Sequence, residues 1–159
     1  MAVFKLKISQ TSEDLKSDNN RKRFNTISIP DNPSLPELKV QLPIAYEGPQ
    51  GNNNKEIVYT PEHFFIMAVS GCFFTTFSVT ASNSRMKYEK ITIESKGYVG
   101  TSTGVKMMEK IEQVITLEIP KNVRERKALR VLEIAEKRCP LANSVKTKVN
   151  NTYNIKFFD

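Results

Sequence analysis

Histidine occurs once in this chain and cysteine twice, with no Cys-x-x-Cys pair. Zinc takes four protein ligands, or three with an open position, so one His and two distant Cys make a poor ligand set. The missing Cys-x-x-Cys motif argues against a thioredoxin-like exchanger. The lone His63 also fails as an imidazole partner for Cys72. Both fall on one expected helix, where nine positions at about 100° each put them on opposite sides with a rise of roughly 13 Å. His63 reads instead as a partly exposed residue of the first helical turn. A long uninterrupted apolar run is lacking too. The longest, residues 64–79, is broken by Ser70, Gly71, Thr75, Thr76 and Ser78 and is shorter than a typical membrane span. Residues 1–9 alternate apolar and polar and lack the apolar stretch of a signal peptide. There is no internal repeat and no low-complexity segment. These absences lead to the expectation of a soluble, cytoplasmic protein. In a reducing compartment two cysteines are reactive or simply buried, not a permanent staple.

What is present is a basic chain. Lys and Arg number 24 against 17 Asp and Glu, a formal charge of +7 over 159 residues. A basic nucleic-acid-binding domain is the remote reading of that charge. The basic residues are spread along the chain, which favours a well-solvated surface. Apolar residues make up 39%, which suits one domain over residues 1–159. A core of that size is often extended by oligomerising, so a dimer is expected.

Periodicity places the elements. Phe4, Leu6 and Ile8 alternate with polar neighbours and read as a strand. A second strand carries Phe24, Ile27 and Ile29 and is stopped by Pro30-Asp31-Asn32-Pro33. Leu38, Val40 and Leu42 make a third. A long helix follows, with Thr60 as N-cap, Pro61 at the first helical position and Glu62 at the positive end of the macrodipole. Apolar residues surround it on all sides, the pattern of a helix buried on most faces. A hairpin is expected from strands near 88–99 and 105–119. A second helix over about 123–139 carries one stripe, Ala128, Leu132, Ala135 and Cys139. Pro140 disfavours helical geometry at Cys139 and ends it there. A further helical turn near 141–145 and a last strand over 146–158 close the chain. Gly97-Tyr98-Val99-Gly100 matches an RNA-binding loop pattern but lies on a strand with no helix after it, so it carries nothing. The order β-β-β-α-β-β-α-β is α+β, without the regular alternation of a doubly wound sheet.

Both cysteines fall on apolar surfaces, Cys72 in the first helix and Cys139 at the end of the second helix's stripe. By composition alone, free cysteines usually just fill core space. The local sequences say more. Residues 60–72, Thr-Pro-Glu-His-Phe-Phe-Ile-Met-Ala-Val-Ser-Gly-Cys, place Glu62 ten positions before Cys72. Residues 135–144, Ala-Glu-Lys-Arg-Cys-Pro-Leu-Ala-Asn-Ser, end a helix in Cys139-Pro140, followed by a small residue and Asn143. Together these resemble the two motifs of the OsmC/Ohr family (osmotically inducible protein C and organic hydroperoxide resistance protein). The resemblance extends to the order of elements.

That resemblance implies a swapped homodimer with two sites at its interface. It implies a peroxidatic Cys72 that attacks an organic hydroperoxide, and hydrogen peroxide less well. It also implies a resolving Cys139 that closes a disulfide, with no resident cofactor and an external dithiol reductant, of lipoyl type in much of the family. Glu62 carries over as the carboxylate that holds a catalytic arginine. Residues 20–24 offer Arg23, preferred because it adjoins the second strand, or Arg21. Arginine suits the role because it stays charged when desolvated, pairs bidentately with a carboxylate and can stabilise the leaving alkoxide. In a straight helix Glu62 and Cys72 stand roughly 15 Å apart along the axis, so the partner chain is expected to help build each site. The alternative is an OsmC-like protein without peroxidase activity, a small-molecule binder or a redox sensor.

Overall fold

A computed structural model of the chain describes residues 6–9, 23–42 and 59–158, apart from the side chains of 23–25, 39, 41 and 42. Its elements are β1 (Lys7–Ser9), β2 (Arg23–Ser28), β3 (Leu38–Leu42), α1 (Pro61–Asn83), β4 (Lys90–Gly100), β5 (Met107–Pro120), α2 (Glu125–Arg138), α3 (Pro140–Ser144) and β6 (Lys148–Phe158). The α+β order matches the sequence expectation. The short α3 is the anticipated extra turn, with Pro140 at its first position, where a missing N–H costs nothing. The chain divides into two compact units, Met1–Phe64 and Phe65–Asp159.

In the first unit β1, β2 and β3 form an antiparallel sheet in sequence order. Ile8 stands opposite Ile27, and Ile27 opposite Leu38. The turn after β2 is held by Asn32 N–H to the Ile29 carbonyl at 3.0 Å and by Ser34 Oγ to Asn32 Oδ1 at 2.6 Å. Helix α1 starts after Thr60, as expected, and the His63 ring closes its first turn. The Thr60 backbone N–H donates to His63 Nδ1 at 3.2 Å. His63 thus takes the position that Glu or Gln holds in a capping box.

In the second unit β4 and β5 are an antiparallel hairpin, and β6 returns parallel to β5 after the α2 crossover. The sheet is buried on one face. Along β5 the residues Ile111, Gln113, Ile115, Leu117 and Ile119 are all buried, at period two. Phe73, Phe77 and Ala81 of α1 and Ala128, Val131, Leu132, Ala135 and Cys139 at α2 complete the core. The stripe read on α2 is fully buried along its length.

The long helix α1 departs from expectation. Its buried residues, Val69, Phe73, Phe77, Thr80 and Ala81, form one stripe. Outside that stripe Met67, Phe74 and Val79 are exposed by 57%, 42% and 56%. A helix laid on a flat sheet offers that sheet only part of its circumference, so within one chain the rest of the apolar surface stays uncovered. With 23 residues, α1 is also long and apolar enough to cross a membrane by length and composition. Its buried stripe packs into the core of this unit.

Five hydroxyls of α1 are satisfied within the helix. Ser70, Thr75, Thr76, Ser78 and Thr80 donate to the carbonyls of Ile66, Gly71, Cys72, Phe74 and Thr76, at 2.8–3.0 Å. One buried polar knot then fixes the helix on the sheet. Gln113, 1% exposed, donates from Nε2 to Ser70 Oγ at 2.7 Å and to Ser95 Oγ at 3.2 Å. Gly97 lets the helix come close: a Cβ there would lie 2.5 Å from Ile66 Cδ1. The far end of α1 stops in a Schellman motif. Met86 N–H bonds to Ala81 C=O and Arg85 N–H to Ser82 C=O, both at 2.9 Å, with Arg85 left-handed at φ 48°. Buried Met86 supplies the apolar contact beyond the cap. Pinned at its capped ends and at Ser70, the helix has a defined rotation, and that rotation decides where Cys72 points.

Candidate active site

Cys72 lies one position from Phe73 on α1 and so falls on the flank of the buried stripe. It is half-buried. Cys139 is buried without residual exposure. It is the C-cap of α2 and the N-cap of α3 at once, with φ −66° and ψ 110°. That extended conformation is the one Pro140 imposes on the residue before it. The chain therefore turns sharply at Cys139 and sends α3 back past α1.

The turn brings the two thiols together. The backbone N–H of Leu141 donates to Cys72 Sγ at 3.4 Å, joining residues 69 positions apart in the sequence. Cys72 is also near enough to perturb the Cys139 thiol electrostatically. Both cysteines are free. Burial pushes the Cys139 thiol above its ordinary value, and the Cys72 thiol adds to this; the amides of Ala142 and Leu141 oppose it. Cys139 is thus kept in the thiol form at neutral pH.

The turn itself is bound on several sides. Cys139 N–H bonds to Glu136 C=O at 3.2 Å. Asn143 Nδ2 donates to the carbonyls of Lys137 at 3.1 Å and Cys139 at 2.8 Å. These are orphan carbonyls at the end of α2, satisfied by a side chain instead of water. Glu136 Oε2 accepts the hydroxyl of Tyr153 on β6 at 2.6 Å. Burial first, then the Glu136 acceptor, hold that phenol far above its usual range.

Of the site residues expected from sequence, Cys72 and Cys139 are brought together. Glu62 lies in the first turn of α1, ten positions before Cys72, and is half-buried. Arg23 opens β2 opposite Leu42, but its side chain lies outside the described residues, and so does Arg21 altogether. Sequence reading missed the Leu141 amide, the Asn143 bracket and the Glu136–Tyr153 pair. Asn143 stood in the recognised motif without a role. Among the described residues no group of three or more His, Cys, Asp or Glu side chains is placed to hold a metal.

A family model described as OsmC-like protein matches residues 52–154. The chain belongs to the OsmC-like family. Solved structures carry the same fold over nearly the whole length of both chains. An OsmC-like protein of unknown function from Vibrio cholerae shares 19% identity at a TM-score of 0.76, covering 96% of this chain and 99% of its own. The OsmC-like protein of Mycoplasma pneumoniae shares 12% at 0.72, covering 98% of each. An organic hydroperoxide resistance protein of Elizabethkingia anophelis shares 18% at 0.64, covering 99% of each. A comparison with curated proteins gives no match. Within the OsmC-like frame, the two cysteines of this chain occupy the end of one helix and the flank of another, and they meet at Leu141.

Proposed function

We propose that this chain is a dithiol-dependent peroxidase for organic hydroperoxides, with Cys72 as the attacking thiolate and Cys139 as the resolving thiol. The meeting of the two free thiols beside the Leu141 amide carries this reading. Similarity to organic hydroperoxide resistance proteins supports it. The Cys72 sulfur attacks one peroxide oxygen. The O–O bond breaks, the other oxygen leaves with a proton as the alcohol, and Cys72 becomes a sulfenic acid. The Cys139 sulfur then attacks the Cys72 sulfur. Its proton and the sulfenic OH leave as water, and a disulfide forms. An external dithiol, of lipoyl type, restores both thiols by exchange and is itself oxidised to its disulfide. Glu62 holds one arginine, Arg23 or Arg21, whose guanidinium favours the thiolate and stabilises the leaving alkoxide.

The test is consumption of cumene hydroperoxide in the presence of dihydrolipoamide, followed by stopped flow. Intact mass after one equivalent of peroxide should fall by two hydrogens, with Cys72 and Cys139 in one cross-linked peptide. Without consumption or cross-link, the peroxidase reading is lost, and a redox-inactive binder or a sensor takes its place.

The same reading includes a homodimer. The uncovered apolar side of α1, with Met67, Phe74 and Val79 exposed, is the surface a second copy would cover. Light scattering on the purified chain should give twice the mass of 18.1 kDa. Replacing Phe74 with Lys should shift the population to monomer.

A further inference from the structure

We propose that Glu136 and Tyr153 form a positioning pair that holds Cys139 within reach of Cys72, an inference that rests on the two-cysteine reading above. Glu136 is out of place by local rules. It lies in the last turns of α2, where the negative end of the macrodipole favours cations, and its neighbours Lys137 and Arg138 obey that preference. Its side chain finds compensation in the Tyr153 hydroxyl on β6, at 2.6 Å. The backbone carbonyl of the same residue accepts the Cys139 N–H at 3.2 Å. One residue therefore ties the end of α2 to the sheet and Cys139 to the end of α2. Tyr153 packs its ring against the core cluster that contains Cys139.

The opposite side of the turn is closed by Asn143, which takes the carbonyls of Lys137 and Cys139. Pro140 has no N–H to satisfy, and the next amide, that of Leu141, is spent on Cys72 Sγ. The hydrogen bonds leave the turn little freedom. Closing a disulfide from a sulfenic acid is a reaction within one molecule. Its rate follows the share of time the sulfurs spend in attacking geometry. A loosened turn gives a second peroxide time to carry the sulfenic acid on to sulfinic acid.

The experiment compares Glu136→Ala, Tyr153→Phe and Glu136→Gln with the parent chain. Thr147→Val is the control. It deletes another buried hydrogen bond at the start of β6, Thr147 Oγ1 to Met108 C=O at 2.7 Å, away from the turn. Two readouts are taken on folded protein. With peroxide, rapid quench and mass spectrometry give the rate of Cys72 oxidation, the rate of disulfide closure and the sulfinic fraction. With an aromatic disulfide reagent such as dithiobis(nitrobenzoate), Cys72 first releases one aromatic thiolate. Attack by Cys139 on the mixed disulfide then releases the second, with no peroxide involved.

In Glu136→Ala and Tyr153→Phe the first step of each assay should keep its parent rate. Closure should slow by about tenfold as attacking geometry becomes rarer, and the sulfinic fraction should rise. Glu136→Gln keeps an oxygen for the Tyr153 hydroxyl and should restore most of the closure rate. Thr147→Val should leave closure unchanged. Parent-like closure in both disrupting variants, or equal slowing in Thr147→Val, would overturn the positioning role. If peroxide fails to oxidise Cys72 in the parent chain, the peroxidase reading falls alone, because release of the second aromatic thiolate still measures closure.

Discussion

Replacing Cys72 with serine is expected to bring hydroperoxide consumption down to the rate of the dithiol alone. Replacing Cys139 with alanine is expected to leave one fast turnover and then a stop. The two outcomes differ because the cysteines hold different positions. Cys72 keeps some exposure on the flank of α1 and takes a hydrogen bond from Leu141 N–H. Cys139 has no exposed surface, and burial holds its thiol protonated. A hydroxyl in place of the Cys72 sulfur cannot ionise at neutral pH and is a far weaker nucleophile, so no second route remains. Without Cys139, Cys72 still reacts once, but its sulfenic acid has no nearby thiol. It should then collect as sulfenic acid and, with excess peroxide, as sulfinic acid. Intact mass of the Cys139→Ala chain after one equivalent should show one added oxygen, where the parent chain shows two hydrogens lost. Equal steady-state rates for the parent and Cys72→Ser chains would end the assignment of Cys72.

The largest loss of stability is expected for Phe77→Ala, at about 3–5 kcal/mol. Phe77 is 0% exposed and stands in the α1 stripe that faces the sheet. Its ring meets Tyr88 edge to face, with centroids 5.1 Å apart, a contact worth about 0.5–1.5 kcal/mol beyond the buried area. Other members of the same core cluster, among them Ile115, Leu117 and Leu132, are themselves fully buried. They belong to two different elements, β5 and α2, each held in the fold by its own contacts, so they cannot collapse into the space together. Chemical denaturation should show the midpoint falling with little change in slope. A drop below about 1 kcal/mol would mean that the core refills at that site. Cys72 lies five positions from Phe77 on the same helix. A variant that still folds should therefore also close its disulfide more slowly.

Local patterns in the sequence carried much of this. The Thr60-Pro61 helix start, the Ala128–Leu132–Ala135–Cys139 stripe and the break at Pro140 each depend on a few neighbouring residues, and each has its counterpart in the structure. The spacing of Glu62 and Cys72, with the Cys139-Pro140 ending, identified the family before any coordinates. Periodicity failed on α1, because both of its sides are apolar and the pattern alone does not say which one the sheet covers. The polar knot of Gln113, Ser70 and Ser95 decides that.

The approach of Cys72 to Cys139 was likewise beyond local reading. Residues so far apart in sequence meet only through the packing of α1 and α2 on one sheet and the sharp turn into α3. Glu136 and Tyr153 are 17 positions apart and on different elements, so no periodicity links them. The sequence by itself determined which residue types can do the chemistry and the order of the elements, since both follow from short-range sterics and hydrogen bonding. Only the tertiary structure decided that the amide just beyond Cys139 reaches the Cys72 sulfur and that a carboxylate on α2 meets a phenol on β6, since those distances depend on how distant segments pack.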